Sequence, residues 1–257
     1  MLTADGLTAI RPDGTTRPAE RPFAPEIPVA LEYNGLSYAV MMASPSDLED
    51  FVTGFALTEG LAGKVEDVVG IDIAETDKGW VARATITSLA LEKLEERVRT
   101  RVAESSCGLC GIDNLEVIAR PLPPVAAHDA IEPAAIFKAL EDIRALQPGN
   151  RATGGMHAAA FVRANGEIIA VREDVGRHNA LDKLVGTMAR AGISLAGGFI
   201  LSTARCSYEI VEKAVKAGAT TLVTISVPTS MAAARARAAG LSLFALARAD
   251  EILQVVP

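Results

Sequence analysis

The sequence has little of several residue types, and each shortage excludes a class of protein. Its 257 residues include three cysteines and 4% aromatic residues, and the net charge is −7. An acidic chain lacks the basic face that releases counterions from nucleic acid, so we expect no nucleic-acid partner. The amino terminus has no basic stretch before an apolar core, and no apolar run reaches the ~18 residues of a membrane span. These absences predict a cytoplasmic protein that binds no membrane.

The residues that are plentiful favour a layered fold. Hydrophobic residues make up 49% of the chain, enough for a sizeable core in one large domain or two smaller ones. Because aromatic residues are scarce, that core must be built from Ala, Val, Leu and Ile, the usual residues of alternating strands and helices. We therefore predict the α/β class with mixed α+β character.

Composition divides the chain into three parts. Residues 1–28 contain five prolines among Gly, Thr and Arg, which predicts a flexible tail or arm without regular structure of its own. Residues 29–120 are predicted to form a small, strand-rich N-terminal domain that ends in a cysteine loop. Its first hairpin is expected at Asn34-Gly35. Pro121-Leu122-Pro123-Pro124 marks a linker into a C-terminal domain, residues 121–257.

The C-terminal part alternates between helical and strand-like patterns. A helix is predicted to open at Pro133 and to end at Pro148-Gly149, and a hairpin is predicted to turn at Asn165-Gly166. Strand-like and helical runs then alternate as far as residue 247. This order predicts a mixed sheet with helices on both faces.

Cys107 and Cys110 are the strongest indication of chemistry. They stand in Cys-Gly-Leu-Cys-Gly, where the glycines predict an approachable loop. Two thiols at this spacing can exchange a disulfide, hold sulfane sulfur or supply half of a zinc site. Zinc is disfavoured because Cys206 and the three histidines are scattered singly, and a structural disulfide is disfavoured by the cytosolic composition. Reactive sulfur chemistry without a permanently bound metal is the favoured interpretation.

Three polar segments at predicted strand ends form a second candidate site, at residues 153–157, 172–179 and 202–205. Such residues can instead be helix caps and surface ion pairs, and a lone histidine at a strand start, such as His157, is more often structural. Ligands of open α/β sheets bind at the carboxyl ends of strands. We therefore predict that the three segments converge on one cleft.

Three motifs together resemble one known family. Cys-Gly-Leu-Cys-Gly at 107–111, Thr-Gly-Gly-Met-His-Ala-Ala-Ala-Phe at 153–161 and Arg-Glu-Asp-Val-Gly-Arg-His-Asn-Ala-Leu-Asp-Lys-Leu at 172–184 closely resemble the formate dehydrogenase accessory sulfurtransferases, the FdhD family. An amino-terminal signature between Ser44 and Gly60, and Pro228-Thr229-Ser230 later on, extend the resemblance over nearly the whole chain.

The resemblance implies a sulfurtransferase that formate dehydrogenase needs for activity. Cys107 would accept persulfide sulfur from a cysteine desulfurase, and Cys110 would protect this sulfur or help to release it. The sulfur would pass to the molybdenum cofactor, bis-molybdopterin guanine dinucleotide, bound as a substrate. The family's second domain is similar to the cytidine deaminase fold, although deamination is not expected because the zinc-deaminase motif is absent. Formate dehydrogenase is an expected partner, and a homodimer is expected.

The resemblance also indicates where the guanine nucleotide part of the cofactor would bind. Where the family has a Phe-x-Arg-x-x-Arg-like stretch on its last strand, this chain has Leu246, Ala247, Arg248, Ala249, Asp250 and Glu251. Only Arg248 is retained. The missing aromatic residue removes a stacking surface, and Glu251 brings a negative charge where the family has arginine. We expect these six residues to contact the nucleotide through Arg248 and the backbone.

One other function remains open from the residues alone, and a second is disfavoured. A non-catalytic carrier of the molybdenum cofactor, or an assembly chaperone for a molybdoenzyme, would use its cysteines only to contact the partner. A thioredoxin-like reductase is disfavoured because no strand leads directly into a Cys-x-x-Cys helix. Loss of sulfur transfer on replacing Cys107 would separate the sulfurtransferase from the carrier.

Overall fold

The computed structural model describes residues 7–89 and 120–257. The strands in these ranges are β1 (Leu7–Ile10), β2 (Thr16–Ala19), β3 (Ile27–Tyr33), β4 (Leu36–Ala43), β5 (Val68–Thr76), β6 (Gly79–Ile86), β7 (His157–Arg163), β8 (Ile168–Asp174), β9 (Gly198–Ser202), β10 (Thr221–Thr224), β11 (Ser242–Ala245) and β12 (Leu253–Val256). The α-helices are α1 (Leu48–Thr58), α2 (Pro133–Asp142), α3 (Pro148–Thr153), α4 (Arg177–Arg190), α5 (Tyr208–Lys216) and α6 (Ser230–Ala239). None of these helices is long and apolar enough to cross a membrane.

The first half of the described chain contains a four-stranded sheet in the order β4-β3-β6-β5. Strands β3 and β4 form the predicted hairpin, whose turn holds Asn34 and Gly35 at φ values of 52° and 80°. Asn-Gly accepts this left-handed backbone readily, which explains why the chain reverses there. Helix α1 packs on one face of the sheet through the buried rings of Phe51 and Phe55.

The second half contains a six-stranded sheet in the order β12-β11-β10-β9-β7-β8. Strands β9, β10 and β11 are parallel, and β7 runs antiparallel to both β8 and β9. The carboxyl ends of β8, β9, β10 and β11 therefore lie along one edge of the sheet, together with the start of β7. We call this edge the carboxyl edge.

Helices cover both faces of the six-stranded sheet, as predicted. Helices α4, α5 and α6 share one apolar core with the sheet, which includes Phe161, Leu184 and Ile210. Helix α2 packs on the other face, where Ile136 and Phe199 are buried in a separate cluster. The predicted mixed α/β fold class is thus confirmed, while the predicted domain boundaries stay predictions.

The two sheets are joined by a close contact between helices α1 and α4. A Cβ atom on Gly54 would lie 1.7 Å from the carbonyl oxygen of Asp182, and one on Gly186 would lie 1.9 Å from that of Asp50. No side chain fits in such spaces, so both positions require glycine. Because the two helices lie so close together, the polar side chains at their contact are buried.

Three details of the sequence prediction are wrong. Residues 7–19 form the hairpin β1–β2 where the prolines predicted no regular structure. Pro12 lies outside both strands, and Pro18 lies in a two-stranded ribbon, where a missing N–H donor is tolerated. Pro148 begins the short helix α3 instead of ending α2, because proline is well suited to a first helical position. Residues 246–251 form a loop between β11 and β12 and are not part of a strand.

Candidate functional site

Of the three cysteines, only Cys206 lies in the described part of the chain; Cys107 and Cys110 lie outside it. Cys206 is fully buried, and burial raises the pKa of its thiol to about 12. Its backbone pairs with the next loop, since its N–H donates to the Val227 carbonyl at 3.3 Å and its carbonyl accepts from Thr229 at 3.0 Å. A buried, protonated thiol is a poor nucleophile, so Cys206 has a structural role.

Loops at the carboxyl edge are tied to one another by backbone hydrogen bonds. Ile225 N–H donates to the Ser202 carbonyl at 3.0 Å, and Ala247 N–H donates to that of Thr224 at 3.1 Å. On the other side of β9, the Thr203 hydroxyl accepts from Ala158 N–H at 2.8 Å. The segments that follow β9, β10 and β11 and the start of β7 therefore form one continuous layer.

Positive charge is concentrated at one end of this layer, although the whole chain is acidic. His157 begins β7, Arg177 and His178 begin α4, and Arg205 follows β9. Burial lowers the pKa of His157, and the charges of Arg177, His178 and Arg205 lower it further, while Asp174 acts in the opposite direction. We call His157, Arg177, His178 and Arg205 the cationic cluster; it brings together all three polar segments predicted from the sequence.

Helix α5 places the carboxylate of Glu209 beside the cationic cluster, and the sequence did not predict this contact. The Glu209 carboxylate lies 2.8 Å from Nε2 of His178. The Ser207 hydroxyl lies 3.5 Å from the same nitrogen. The imidazole of His178 is therefore held in one orientation at the start of α4.

The glycine pair at 154 and 155 is covered by the segment that follows β2. Nε of Arg21 donates to the Thr153 carbonyl at 3.1 Å, and a Cβ atom on Gly154 would lie 2.3 Å from Nη2 of Arg21. Ala24 lies over Gly155. The segment after β2 therefore covers the glycine pair, and the left-handed backbone of Gly154, with a φ of 72°, is what favours glycine there.

Residues 172–184 have two separate roles. Every residue from Asn179 to Gly186 is buried, so α4 is enclosed on all sides over two turns. Lys183 Nζ lies 2.5 Å from the Asp174 carboxylate and donates to the Ser44 carbonyl at 2.9 Å. Ser44 N–H donates in turn to Asp174 at 2.9 Å. Within the predicted segment 172–179, Asp174 and Asn179 therefore belong to the contact between the sheets.

Two further groups of ion pairs lie in the same contact, one around Lys213 and one around Asp50. Burial opposes the charge of Lys213, but the carboxylates of Asp182 and Glu59 outweigh it and raise the pKa of Lys213. Burial also opposes the charge of Asp50, but hydrogen bonds from Thr187, Arg172 and Arg190 outweigh it and lower the pKa of that carboxyl. Paired charges thus link α1 to its neighbours, and of these residues only Arg172 lies in a segment that the sequence had assigned to a site.

The cationic cluster is partly open to solvent, since Arg205 is exposed while His157, Arg177 and His178 are half-buried. Two depressions of about 370 and 480 Å³ lie beside α1 and the end of α4, and neither is lined by a residue of the cluster. Within the described ranges, no group of three or more His, Cys, Asp or Glu side chains could hold a metal ion.

The stretch 246–251 lies at the same edge as the cationic cluster. It follows β11, two strands away from β9 in the sheet, which corresponds to roughly 10 Å at ordinary strand spacing. Leu246 has a φ of 49°, and Arg248 N–H donates to the Glu251 carbonyl at 3.0 Å, so the chain turns sharply there. Ala247 is buried while Arg248 is exposed. The loop therefore presents Arg248 to solvent at the carboxyl edge.

Comparisons with known proteins agree with these motifs. The model of the FdhD/NarQ family matches residues 24–255. A sulfur carrier protein FdhD from Variovorax paradoxus is 42% identical over 230 residues, covering 90% of this chain and 83% of the relative. One from Acinetobacter baylyi is 44% identical over 225 residues, covering 87% and 82%.

A solved structure also has this fold. It is that of a candidate formate dehydrogenase accessory protein from Desulfotalea psychrophila, with a TM-score of 0.76, 23% identity and coverage of 98% of this chain and 95% of that one. At 23% identity this similarity shows a shared fold alone. The family match spans nearly the whole chain, and the named relatives are similar over most of their length. The chain therefore belongs to the FdhD/NarQ family.

Proposed function

We propose that this protein is a sulfur carrier that accepts persulfide sulfur on Cys107 from a cysteine desulfurase and transfers it to the molybdenum cofactor of a formate dehydrogenase. The observation that carries the proposal is the family membership, together with the relatives named sulfur carrier proteins. Since Cys206 is buried and protonated, Cys107 and Cys110 are the thiols that remain for this chemistry. The protein would act in the cytoplasm, as a homodimer.

The first step is a transfer between two thiols. The Cys107 thiolate attacks the outer sulfur of the donor persulfide, the sulfur–sulfur bond of the donor breaks, and the donor thiolate leaves. One sulfur–sulfur bond is formed and one is broken, so no external oxidant or reductant is needed. Gly108, next to Cys107 in the sequence, has no side chain that would obstruct the incoming donor.

Cys110 supports the release step. Its thiolate attacks the Cys107 sulfur of the persulfide, hydrosulfide leaves toward the metal, and a disulfide forms between the two cysteines. The two thiols supply the two electrons that convert sulfane sulfur to sulfide. A dithiol reductant then restores both thiols.

The carboxyl edge is suited to the phosphate groups of the cofactor. Arg177 and Arg205 follow β8 and β9, Arg248 follows β11, and all three are at the same edge. Guanidinium groups bind phosphate oxygens with two parallel hydrogen bonds, and local positive charge is needed because the chain as a whole would repel an anion. We infer that the diphosphate lies at this edge, with the guanine end toward residues 246–251.

Replacing Arg248 by alanine should weaken the binding of guanosine diphosphate. The exposed guanidinium has no ion pair to lose within the described ranges, so the loss reports its contact with the ligand. One charge-assisted hydrogen bond is worth about 1.5–3 kcal/mol, and binding should fall by that amount in a calorimetric titration. Glu251→Arg should strengthen binding, because it removes a negative charge from the same loop.

Arg163→Ala is the matched control, since Arg163 ends β7 at the opposite edge of the sheet and is also exposed. Its binding should equal that of the unchanged protein. Equal affinities for Arg248→Ala and Arg163→Ala would show that the loop 246–251 does not contact the nucleotide.

Sulfur loading tests the proposed function directly. The protein is incubated with a cysteine desulfurase and cysteine, and its intact mass is measured before and after treatment with a thiol reductant. We expect a gain of one sulfur atom that the reductant removes. A non-catalytic carrier would show no such gain while still binding the cofactor, and that result would replace the proposal by this alternative.

A further inference from the structure

We propose that the larger depression, between the two halves of the molecule, is the docking site for the protein that donates the persulfide. It takes a bulky apolar side chain of that protein, flanked there by carboxylates. The inference rests on the proposed function in assuming that the sulfur comes from a protein donor. It goes beyond that function in naming the surface at which the donor binds and the chemistry that the donor presents.

The floor of the larger depression is apolar. Its volume is about 480 Å³, and its floor is formed by Leu57 on α1, Val185 and Met188 on α4, and Leu195 before β9. Leu57 packs against both apolar cores, and the other three residues are buried in the core beside the six-stranded sheet. The depression therefore opens where the two cores meet. Sites of ~300–1,000 Å³ with such walls bind apolar groups and are common where two structural units meet.

Two lysines line the larger depression from different halves of the molecule. Lys64 follows α1, Lys216 ends α5, and both are exposed. Within the described ranges neither forms an ion pair, whereas the neighbouring Lys213 forms two. Glu66 is the acidic residue among the described lining residues, so these walls carry one more positive charge than negative.

This local charge differs in sign from that of the chain, which has a net charge of −7. The carboxyl end of α5 favours a cation at Lys216, so that charge has a partial structural cause. Lys64 lies in a loop beyond the last turn of α1 and gains nothing from a helix dipole. A positive patch on an acidic surface selects a partner with negative charge at the matching position.

The surroundings of the larger depression fit a protein side chain. Pro123 is exposed and Ile193 is 37% exposed, so apolar surface continues from the floor onto the rim. A bulky side chain inserted into a pocket and surrounded by further contacts is the usual form of an interface hot spot. The lysines then place carboxylates of the partner on either side of that side chain.

The larger depression is also placed suitably for a sulfur donor. Helix α4 begins at the carboxyl edge and extends for 14 residues, or roughly 20 Å, to the depression, so a donor bound there leaves the carboxyl edge free. Pro123, on the wall, follows Cys110 by thirteen positions in the sequence. Nearby, Nη1 of Arg235 donates to the Arg120 carbonyl at 2.6 Å. The chain that follows the two thiols therefore enters the described structure beside the depression.

The test compares sulfur loading from a protein donor with loading from a small donor. The rate of loading is measured by intact mass at increasing concentrations of a cysteine desulfurase with cysteine, and separately with glutathione persulfide, which needs no docking surface. Two variants change the depression: Lys64→Glu combined with Lys216→Glu, and Ala189→Phe, which fills it from the last turn of α4. Lys78→Glu is the matched control, because this exposed lysine follows β5 at the end remote from Lys64, about 30 Å away.

We expect the desulfurase concentration that gives half the maximal loading rate to rise by about tenfold or more in both pocket variants. Loading from glutathione persulfide should be the same in every variant. Lys78→Glu should equal the unchanged protein with both donors, which separates a local contact from a change in net charge. The lysine substitutions alter exposed side chains only, so they test the proposal even where Ala189→Phe lowers the stability measured in urea.

The outcomes separate this inference from the proposed function. An equal dependence on desulfurase concentration in all variants, or an equal effect of Lys78→Glu, would overturn the docking site and leave the proposed function standing. Equal slowing with both donors would place the effect at the thiols and would also overturn the docking site. Absence of loading by the desulfurase in the unchanged protein, with normal loading by glutathione persulfide, would overturn both. A small molecule retained in the depression by the purified protein, seen in a native mass spectrum and lost in Ala189→Phe, would show a different occupant and contradict the inference.

Discussion

Replacing Cys107 by alanine is expected to abolish the sulfur loading of this protein. The alanine side chain has no thiolate to attack the donor persulfide, so the first transfer cannot occur. Cys110→Ala should load normally and be impaired in release, because Cys110 acts after Cys107 holds the sulfur. The measurement is the intact mass after incubation with a desulfurase, followed by peptide mapping of the persulfide.

Cys206→Ala is the control for this experiment. Its thiol is buried and has a pKa raised to about 12, so the unchanged protein should carry no sulfur there. The variant should load as well as the unchanged protein, with a modest loss of stability from the missing sulfur atom in the core. Sulfur found on Cys206, or normal loading of Cys107→Ala, would show that the assignment is wrong.

Replacing Asp174 by alanine should cause the largest loss of stability among the substitutions considered. The carboxylate neutralises Lys183, whose side chain is fully buried, and it also accepts the N–H of Ser44 from the other half of the molecule. Without it, the buried ammonium group of Lys183 loses its only carboxylate partner among the described residues, and the buried N–H of Ser44 loses its acceptor. Breaking a buried ion pair on one side typically costs about 3–5 kcal/mol, and we expect a decrease of this size in the free energy of unfolding measured in urea.

Two variants show whether this loss comes from the buried charge. Lys183→Met should cost less than Asp174→Ala, since Asp174 would keep its hydrogen bonds from Ser44, Gly176 and Asn179. Asp142→Ala breaks the exposed pair with Lys138 and should cost less than about 1 kcal/mol. A similarly small loss for Asp174→Ala would contradict the view that this ion pair joins the two sheets.

Some features of the fold and of the candidate site could be predicted from short stretches of the sequence. The hairpin at Asn34-Gly35 and the alternating order after Asn165-Gly166 follow from turn residues and hydrophobic runs, and both are found in the structure. The three polar segments also meet at the carboxyl edge, as strand ends predict. Glu209 was missed because this acidic residue belongs to no motif and lies within an ordinary helical pattern.

The sequence by itself determined the fold class and the family motifs, because strand and helix periods, turn residues and motif spacings are local properties; the choice of Cys107 and Cys110 stays a prediction from their spacing. Only the tertiary structure decided which charges of residues 172–184 are paired in the contact between the two sheets. Asp174 meets Ser44 across 130 positions of the chain, and Arg172 meets Asp50 across 122. A charged residue has the same local sequence pattern whether it binds a ligand or pairs with a residue of the other sheet. Burial by a helix that is distant in the chain distinguishes the two cases, and this burial is visible only in the tertiary structure.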